Sequence, residues 1–256
     1  MRLRHMETRP PKIYGTKARM RVWQLKAQKD AGEFSLGQIW LVCPHIYLDD
    51  QPRVFNFWTR DAYKIHKCYN LHHCPGFIKT SQKVFIGGAI SPMSIFPGAQ
   101  TELTIQIWKD SKLRLWRLGV WFSNSTVVES VGYWLTKIFT QLIEYAEEVQ
   151  WCGEITNGNI SRQHTTTQMG SGYFPDSGFC TAAYMCDLEI AGIIGDFQPV
   201  YDLRLRATNP KYYNVKKVND TCFFFGGPEY ARGVSFRVEL VILHFIFLFY
   251  FLAYII

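Results

Sequence analysis

The sequence predicts an all-β protein: an antiparallel β-sandwich with one amphipathic helix in its body and an apolar C-terminal helix. Three observations carry this. Val, Ile, Thr, Tyr, Phe and Trp are abundant, and aromatic residues make up 16% of the 256-residue chain, a composition that favours strands. Short apolar runs recur with turn residues between them. Only one segment in the body keeps a helical period. Hydrophobic content of 48% is ample for a single buried core.

The elements follow in order. Residues 1–12 are basic, contain Pro10-Pro11, and read as a disordered lead. Ile13 to Trp23 alternates as a strand, and Phe34 to Val42 and Val54 to Thr59 read as two more. Lys83 to Ile90 is a fourth. Glu102 to Lys109 sets Leu103, Ile105 and Ile107 on one face and Thr104, Gln106 and Trp108 on the other. Leu115 to Phe122 follows. From Trp134 to Val149 the apolar residues Leu135, Ile138, Phe139, Leu142, Ala146 and Val149 recur at spacings of three and four, which predicts an amphipathic helix. Residues around Glu154, His164 to Tyr173, Ala182 to Ile194 and Cys222 to Phe225 read as further strands. No internal repeat or long linker divides the chain, so one domain is expected over residues 13–228.

Residues 229–256 form a tail of different character. Val238 to Ile256 is nearly all apolar, interrupted only by Glu239 and His244. Nineteen residues at ~1.5 Å each reach ~28 Å, about one bilayer core, so this segment is a candidate transmembrane helix and a membrane is a candidate partner.

The formal charge of +7 is scattered and densest over Met1 to Lys29. No nucleic-acid motif or basic face accompanies it, so no nucleic-acid partner is expected. The seven cysteines leave at least one thiol unpaired in any scheme. Asn124-Ser125-Thr126, Asn159-Ile160-Ser161 and Asn219-Asp220-Thr221 are glycosylation sequons, relevant only in the secretory pathway. Met1 to His5 lacks the apolar stretch of a signal peptide. Cys68, His72, His73 and Cys74 resemble a metal cluster, but zinc ligands usually come as pairs separated by two to four residues. Adjacent histidines beside Cys74 suit one tetrahedral ion poorly, so a disulfide or free thiols are favoured over zinc. No metal and no cofactor are expected.

Two motifs carry the functional signal: Trp151-Cys152-Gly153-Glu154-Ile155, and the run His164-Thr165-Thr166-Thr167-Gln168-Met169-Gly170-Ser171-Gly172-Tyr173-Phe174. They resemble the signature of the neprosin family, plant glutamic peptidases that work with a pair of glutamates. The likeness extends through Tyr14-Gly15-Thr16-Lys17-Ala18, Phe34 to Trp40, Phe57-Trp58-Thr59, Cys68-Tyr69-Asn70, Cys74-Pro75-Gly76-Phe77, Val131-Gly132-Tyr133-Trp134 and Phe224 to Pro228. It spans roughly Tyr14 to Pro228 in family order.

The resemblance implies a neprosin-type β-sandwich and a proline-directed endopeptidase acting on peptides or proteins. It makes Glu154 one catalytic carboxylate. It places His164, Gln168 and Tyr173 as candidates for the substrate groove, and pairs Cys68 with Cys74 in a short-loop disulfide. By residue type alone, Glu154 reads as a surface or salt-bridged glutamate; the motif around it is what marks it.

The departures matter as much. In the family, the strand ending Gln-Ile-Trp is followed by a turn and a second strand carrying Ile-Glu-Ala-Gly-Trp-Gln-Val, whose Glu is the other catalytic acid. Here Gln38-Ile39-Trp40-Leu41-Val42 runs directly into Cys43-Pro44-His45, and Glu-Ala-Gly-Trp occurs nowhere. A family cysteine is Tyr212 here, and the closing Asn-Pro-x-Cys is replaced by Glu229 and the apolar tail. The family is secreted. Carboxylate hydrolysis needs one group to take a proton from water and another to polarise or protonate the carbonyl. A single Glu154 supplies half of that unit, and removing one member of such a unit usually costs most of the rate. The sequence therefore implies an inactive or impaired peptidase. The alternative is a non-catalytic peptide-binding pseudoenzyme or a membrane-anchored interaction module.

Overall fold

A computed structural model describes residues 12–23, 34–39, 52–59, 68–69, 75–122, 125, 127–140, 142–156, 165–228 and 251–255. Fourteen strands appear among them, in chain order β1 (Gly15–Arg21), β2 (Phe34–Ile39), β3 (Val54–Trp58), β4 (Cys68–Tyr69), β5 (Phe77–Lys79), β6 (Glu102–Asp110), β7 (Leu115–Phe122), β8 (Glu129–Leu135), β9 (Cys152–Thr156), β10 (Ala183–Ala191), β11 (Phe197–Pro199), β12 (Asn214–Asn219), β13 (Cys222–Gly226) and β14 (Phe251–Ile255). They form two sheets. The larger has nine strands in the order β12-β13-β10-β1-β6-β7-β8-β5, with β11 added to β10; the smaller runs β4-β3-β14-β2-β9. Every strand pair is antiparallel.

Alternation explains the core. Leu103, Ile105 and Ile107 of β6 are buried as the period predicts, as are Trp116, Leu118 and Val120 of β7. Ala18 and Met20 of β1 and Phe223 and Phe225 of β13 join the same cluster, which reaches across to Val54 and Trp58 of β3. β10 changes parity within its length. Asp187 has φ 52°, and the β1 register slips between Lys17 and Arg19, so Met185 and Leu188 both face inward. On the outer face, Tyr184, Cys186, Cys222 and Phe224 form a second cluster. The ring of Phe179 packs edge-on at 4.7 Å from Phe224, and Arg21 stacks 4.5 Å over Tyr184.

Four sequence expectations are corrected. The amphipathic helix over Trp134 to Val149 is absent: β8 takes Trp134 and Leu135, a 3-10 turn covers Thr136–Ile138, and no α-helix follows among the described residues. The backbone there is engaged by tertiary partners instead. Trp116 Nε1 donates to the Leu142 carbonyl at 2.7 Å, Lys109 Nζ to those of Ile143 and Glu144, and Ala146 exchanges two 2.8 Å hydrogen bonds with Ile13. The three- and four-residue spacing marks which residues dip into the core, Phe139 and Leu142 among them, without requiring a helix.

Lys83 to Ile90 is a turn. Ser81 Oγ accepts from the Lys83 and Val84 amides at 3.0 Å, and Gly87 takes φ 83°. His164 to Tyr173 is no strand over its described part, where a single bridge joins Met169 to Gly227. The apolar C-terminal helix is not found either. Phe251–Ile255 is a strand hydrogen-bonded on both sides, and residues 238–250 of the candidate span lie outside the described residues. No helix among the described residues is long and apolar enough to cross a membrane.

Candidate active site

Glu154 sits at the middle of β9, at one edge of the small sheet, half-buried. Its register partner on β2 is Leu36, and Gly153 and Cys152 stand opposite Gly37 and Gln38. A side chain at 153 is impossible without rearrangement: a Cβ there would lie 2.7 Å from Cδ2 of Phe225 and 3.0 Å from Sδ of Met169. Position 153 therefore faces the large sheet. Successive strand residues point to opposite faces, so Glu154 and Cys152 share the face turned away from Phe225. Trp151, just before β9, is buried at 4% exposure and closes the core on the inner side.

The same glycine joins the two motifs. Met169, against Gly153, exchanges two 3.2 Å hydrogen bonds with Gly227 at the end of β13. Gly170 and Gly172 hold φ of 71° and 79°, values that glycine alone adopts freely, and the Gly172 amide closes a turn on the Met169 carbonyl at 3.0 Å. Gln168, half-buried, lies against Gly172, where a Cβ would meet its Cδ at 2.8 Å. Thr165 and Thr167 are buried; Thr165 Oγ1 accepts from the Thr167 amide at 2.9 Å, and Tyr213 Oη donates to the Thr167 carbonyl at 2.6 Å. Tyr173 is 45% exposed and stacks edge-on with Phe96 at 5.9 Å. Glu154 and Gln168 are thus each one residue from the Gly153–Met169 contact, whereas Tyr173 stands out toward solvent. His164 lies outside the described residues.

Cys68 is disulfide-bonded, which removes its thiolate from any metal set; His72, His73 and Cys74 lie outside the described residues, as does the expected Cys68–Cys74 pairing. No group of three metal-ligating side chains occurs among the described residues.

Sequence reasoning missed three supports of this site. Phe225 and Met169 clamp Gly153 from the inner side, Tyr213 fixes the threonine run, and Cys186 pairs with Cys222 across β10 and β13 at a Cα separation of 4.0 Å. The Phe224-Phe225-Gly226-Gly227-Pro228 run was the available signal for the first. The disulfide had none, because its partners stand 36 residues apart and meet only through strand register. A small apolar pocket of about 30 Å³ lies beside Trp151, lined by Ile13, Val149, Ile190, Val200 and Leu203. Glu154 does not line it. Against known families, the model described as Neprosin matches residues 17–228.

Proposed function

The chain belongs to the neprosin family, and from that premise we propose that it descends from a glutamic endopeptidase directed at proline-containing peptides, with a hydrolytic site that is incomplete. The observation that carries the proposal is the setting of Glu154. It is half-buried on β9, backed by a glycine pressed onto Phe225, and tied through Met169 to the second motif. A carboxylate so placed has the rigid support a general base requires. It would hold a water and accept its proton.

The second acid would have to protonate or polarise the scissile amide. The strand that follows β2 in the small sheet is β14, and its residues Phe251, Leu252, Ala253, Tyr254 and Ile255 include no carboxylate. In this reading β14 offers no carboxyl proton donor to hydrolysis, while a groove able to hold a peptide need not be lost. This favours a peptide-binding pseudoenzyme as the second reading.

The test is incubation of the purified full chain with a proline-containing peptide at acid pH, with binding measured calorimetrically in parallel. We expect no cleavage above the protein-free blank, and peptide binding retained. Robust turnover that Glu154→Gln abolishes would show that another acid fills the role. Neither cleavage nor binding would remove the peptide groove from both readings.

A further inference from the structure

β1 alternates, so Met20 turns into the core while Arg19 and Arg21 stand on the outer face of the large sheet, over the ring of Tyr184. The acids there are already engaged. Glu102 on β6, the register partner of Arg21, accepts from Arg19 Nη1 at 2.8 Å on one oxygen and from Tyr184 Oη on the other. Arg19 Nε bonds Asp187 at 2.7 Å. Arg21 is left with an ion pair to Glu102 at 3.8 Å, beyond hydrogen-bond length. Its side chain is only 7% exposed, and its Nε and Nη1 are buried with no hydrogen-bond partner among the described residues. Burying charged donors in that state is costly unless another group draws on them.

The group that meets this guanidinium is a thiol. Cys152 and Cys180 are the free cysteines among the described residues, the first buried and the second exposed. Cys180 lies at φ 71° in the turn before β10. Its neighbour Phe179 packs its ring 5.7 Å from that of Tyr184, the same ring over which Arg21 lies at 4.5 Å. The thiol of Cys180 reaches the Arg21 guanidinium side chain to side chain. An accessible sulfur thus stands against a fixed cation with donors to spare, the kind of setting in which cysteines react.

We propose that Cys180 is an oxidation site for hydrogen peroxide, with Arg21 as the residue that promotes the reaction. The Cys180 sulfur, its proton having passed to water, attacks one peroxide oxygen. An S–O bond forms and the O–O bond breaks. The sulfur gives up two electrons and the peroxide takes them. The transferred oxygen keeps its hydrogen, and the other leaves as hydroxide, which takes a proton from water. Cys180 ends as a sulfenic acid. Negative charge sits first on the sulfur and then on the leaving oxygen, and Arg21 offers a positive charge and N–H donors to both. Cys152, being buried, is closed to the reagent. The site lies on the outer face of the large sheet, whereas Glu154 belongs to the small one, so the peptide assay and the test below fail independently.

The test exposes the full chain to hydrogen peroxide at pH 7, with dimedone present to trap sulfenic acid, and reads the adduct at Cys180 by mass spectrometry. A synthetic peptide of residues 176–182 serves as the reference thiol, since it carries Cys180 without Arg21. The initial rate at Cys180 in the chain is expected to be about tenfold above that of the peptide. Arg21→Gln should lose most of the excess, and Arg21→Lys, which keeps the charge, should recover part of it. A rate in the parent chain no higher than the peptide's overturns the proposal, and that comparison needs no variant to fold. An excess that persists in Arg21→Gln overturns it as well. So do equal losses in the Gln and Lys variants, because Arg21 would then act by shape and not by charge.

Discussion

Gly153 lies under the ring of Phe225, so close that a methyl group on its Cα would sit 2.7 Å from Cδ2 and 2.8 Å from Cε2. The contact holds β9 against β13 and so sets the depth at which the next residue, Glu154, emerges on the opposite face. Gly153→Ala must push the ring or the strand aside. Overpacking of this kind costs about 1–3 kcal/mol, and we expect a denaturation midpoint lowered accordingly. An unchanged midpoint would mean that the two sheets are not packed this closely.

Tyr213 Oη donates to the Thr167 carbonyl at 2.6 Å. Removing the donor in Tyr213→Phe leaves that partly buried bond unmade. A loss of about 1 kcal/mol is expected, together with faster amide exchange over residues 165–172. Exchange that speeds up only globally would show that Tyr213 does not hold this segment.

The Cys186–Cys222 disulfide closes a separation of 36 residues. The chain-entropy account gives about 4 kcal/mol for a loop of that size. The paired substitution Cys186→Ala/Cys222→Ala should therefore lower stability by about 2–4 kcal/mol, measured by chemical denaturation without reductant. The intact chain should show at least that loss once reduced, because reduction also opens the disulfide of Cys68.

Asp110 caps the turn between β6 and β7. The Leu113 amide donates to its Oδ1 at 3.0 Å and holds its carboxyl below the ordinary value, aided by Arg117 Nε at 3.0 Å and the Lys112 amide. A carboxylate whose folded pKa is depressed stabilises the fold above its ordinary value near 3.8, and that contribution is lost as pH falls through the lower folded value. Asp110→Asn should thus be less stable than the parent chain at pH 6, with the difference shrinking in strong acid. A gap that persists unchanged below pH 2 would mean the side chain acts through shape alone.

Much of the architecture was legible because strand alternation is local. β6 and β7 bury the residues their period picks out, and the strand expected around Glu154 is β9. What was misread was non-local. Residues 136–149 repeat apolar side chains at helical spacing, but their carbonyls are taken by Trp116 and Lys109, which no reading of that segment alone reveals. Phe251–Ile255 looks like bilayer sequence until its two neighbours, roughly 200 residues or more earlier, are known. At the site, Glu154 was visible in its motif, whereas Phe225 as the anvil behind it was not.

The pairing of β1 carries a consequence for how the chain is made. One side of β1 bonds to β6, but the other bonds to β10, where Gly15 stands opposite Ala191 and Met20 opposite Met185. At a synthesis rate of about 5–20 residues per second, β10 follows β1 by roughly 8–30 s. Throughout that interval a strand destined for the centre of a nine-stranded sheet has an open edge, the condition under which nascent chains pair with one another. Yield in a cell should therefore depend on translation speed and on holding chaperones more than on the final stability of the sheet.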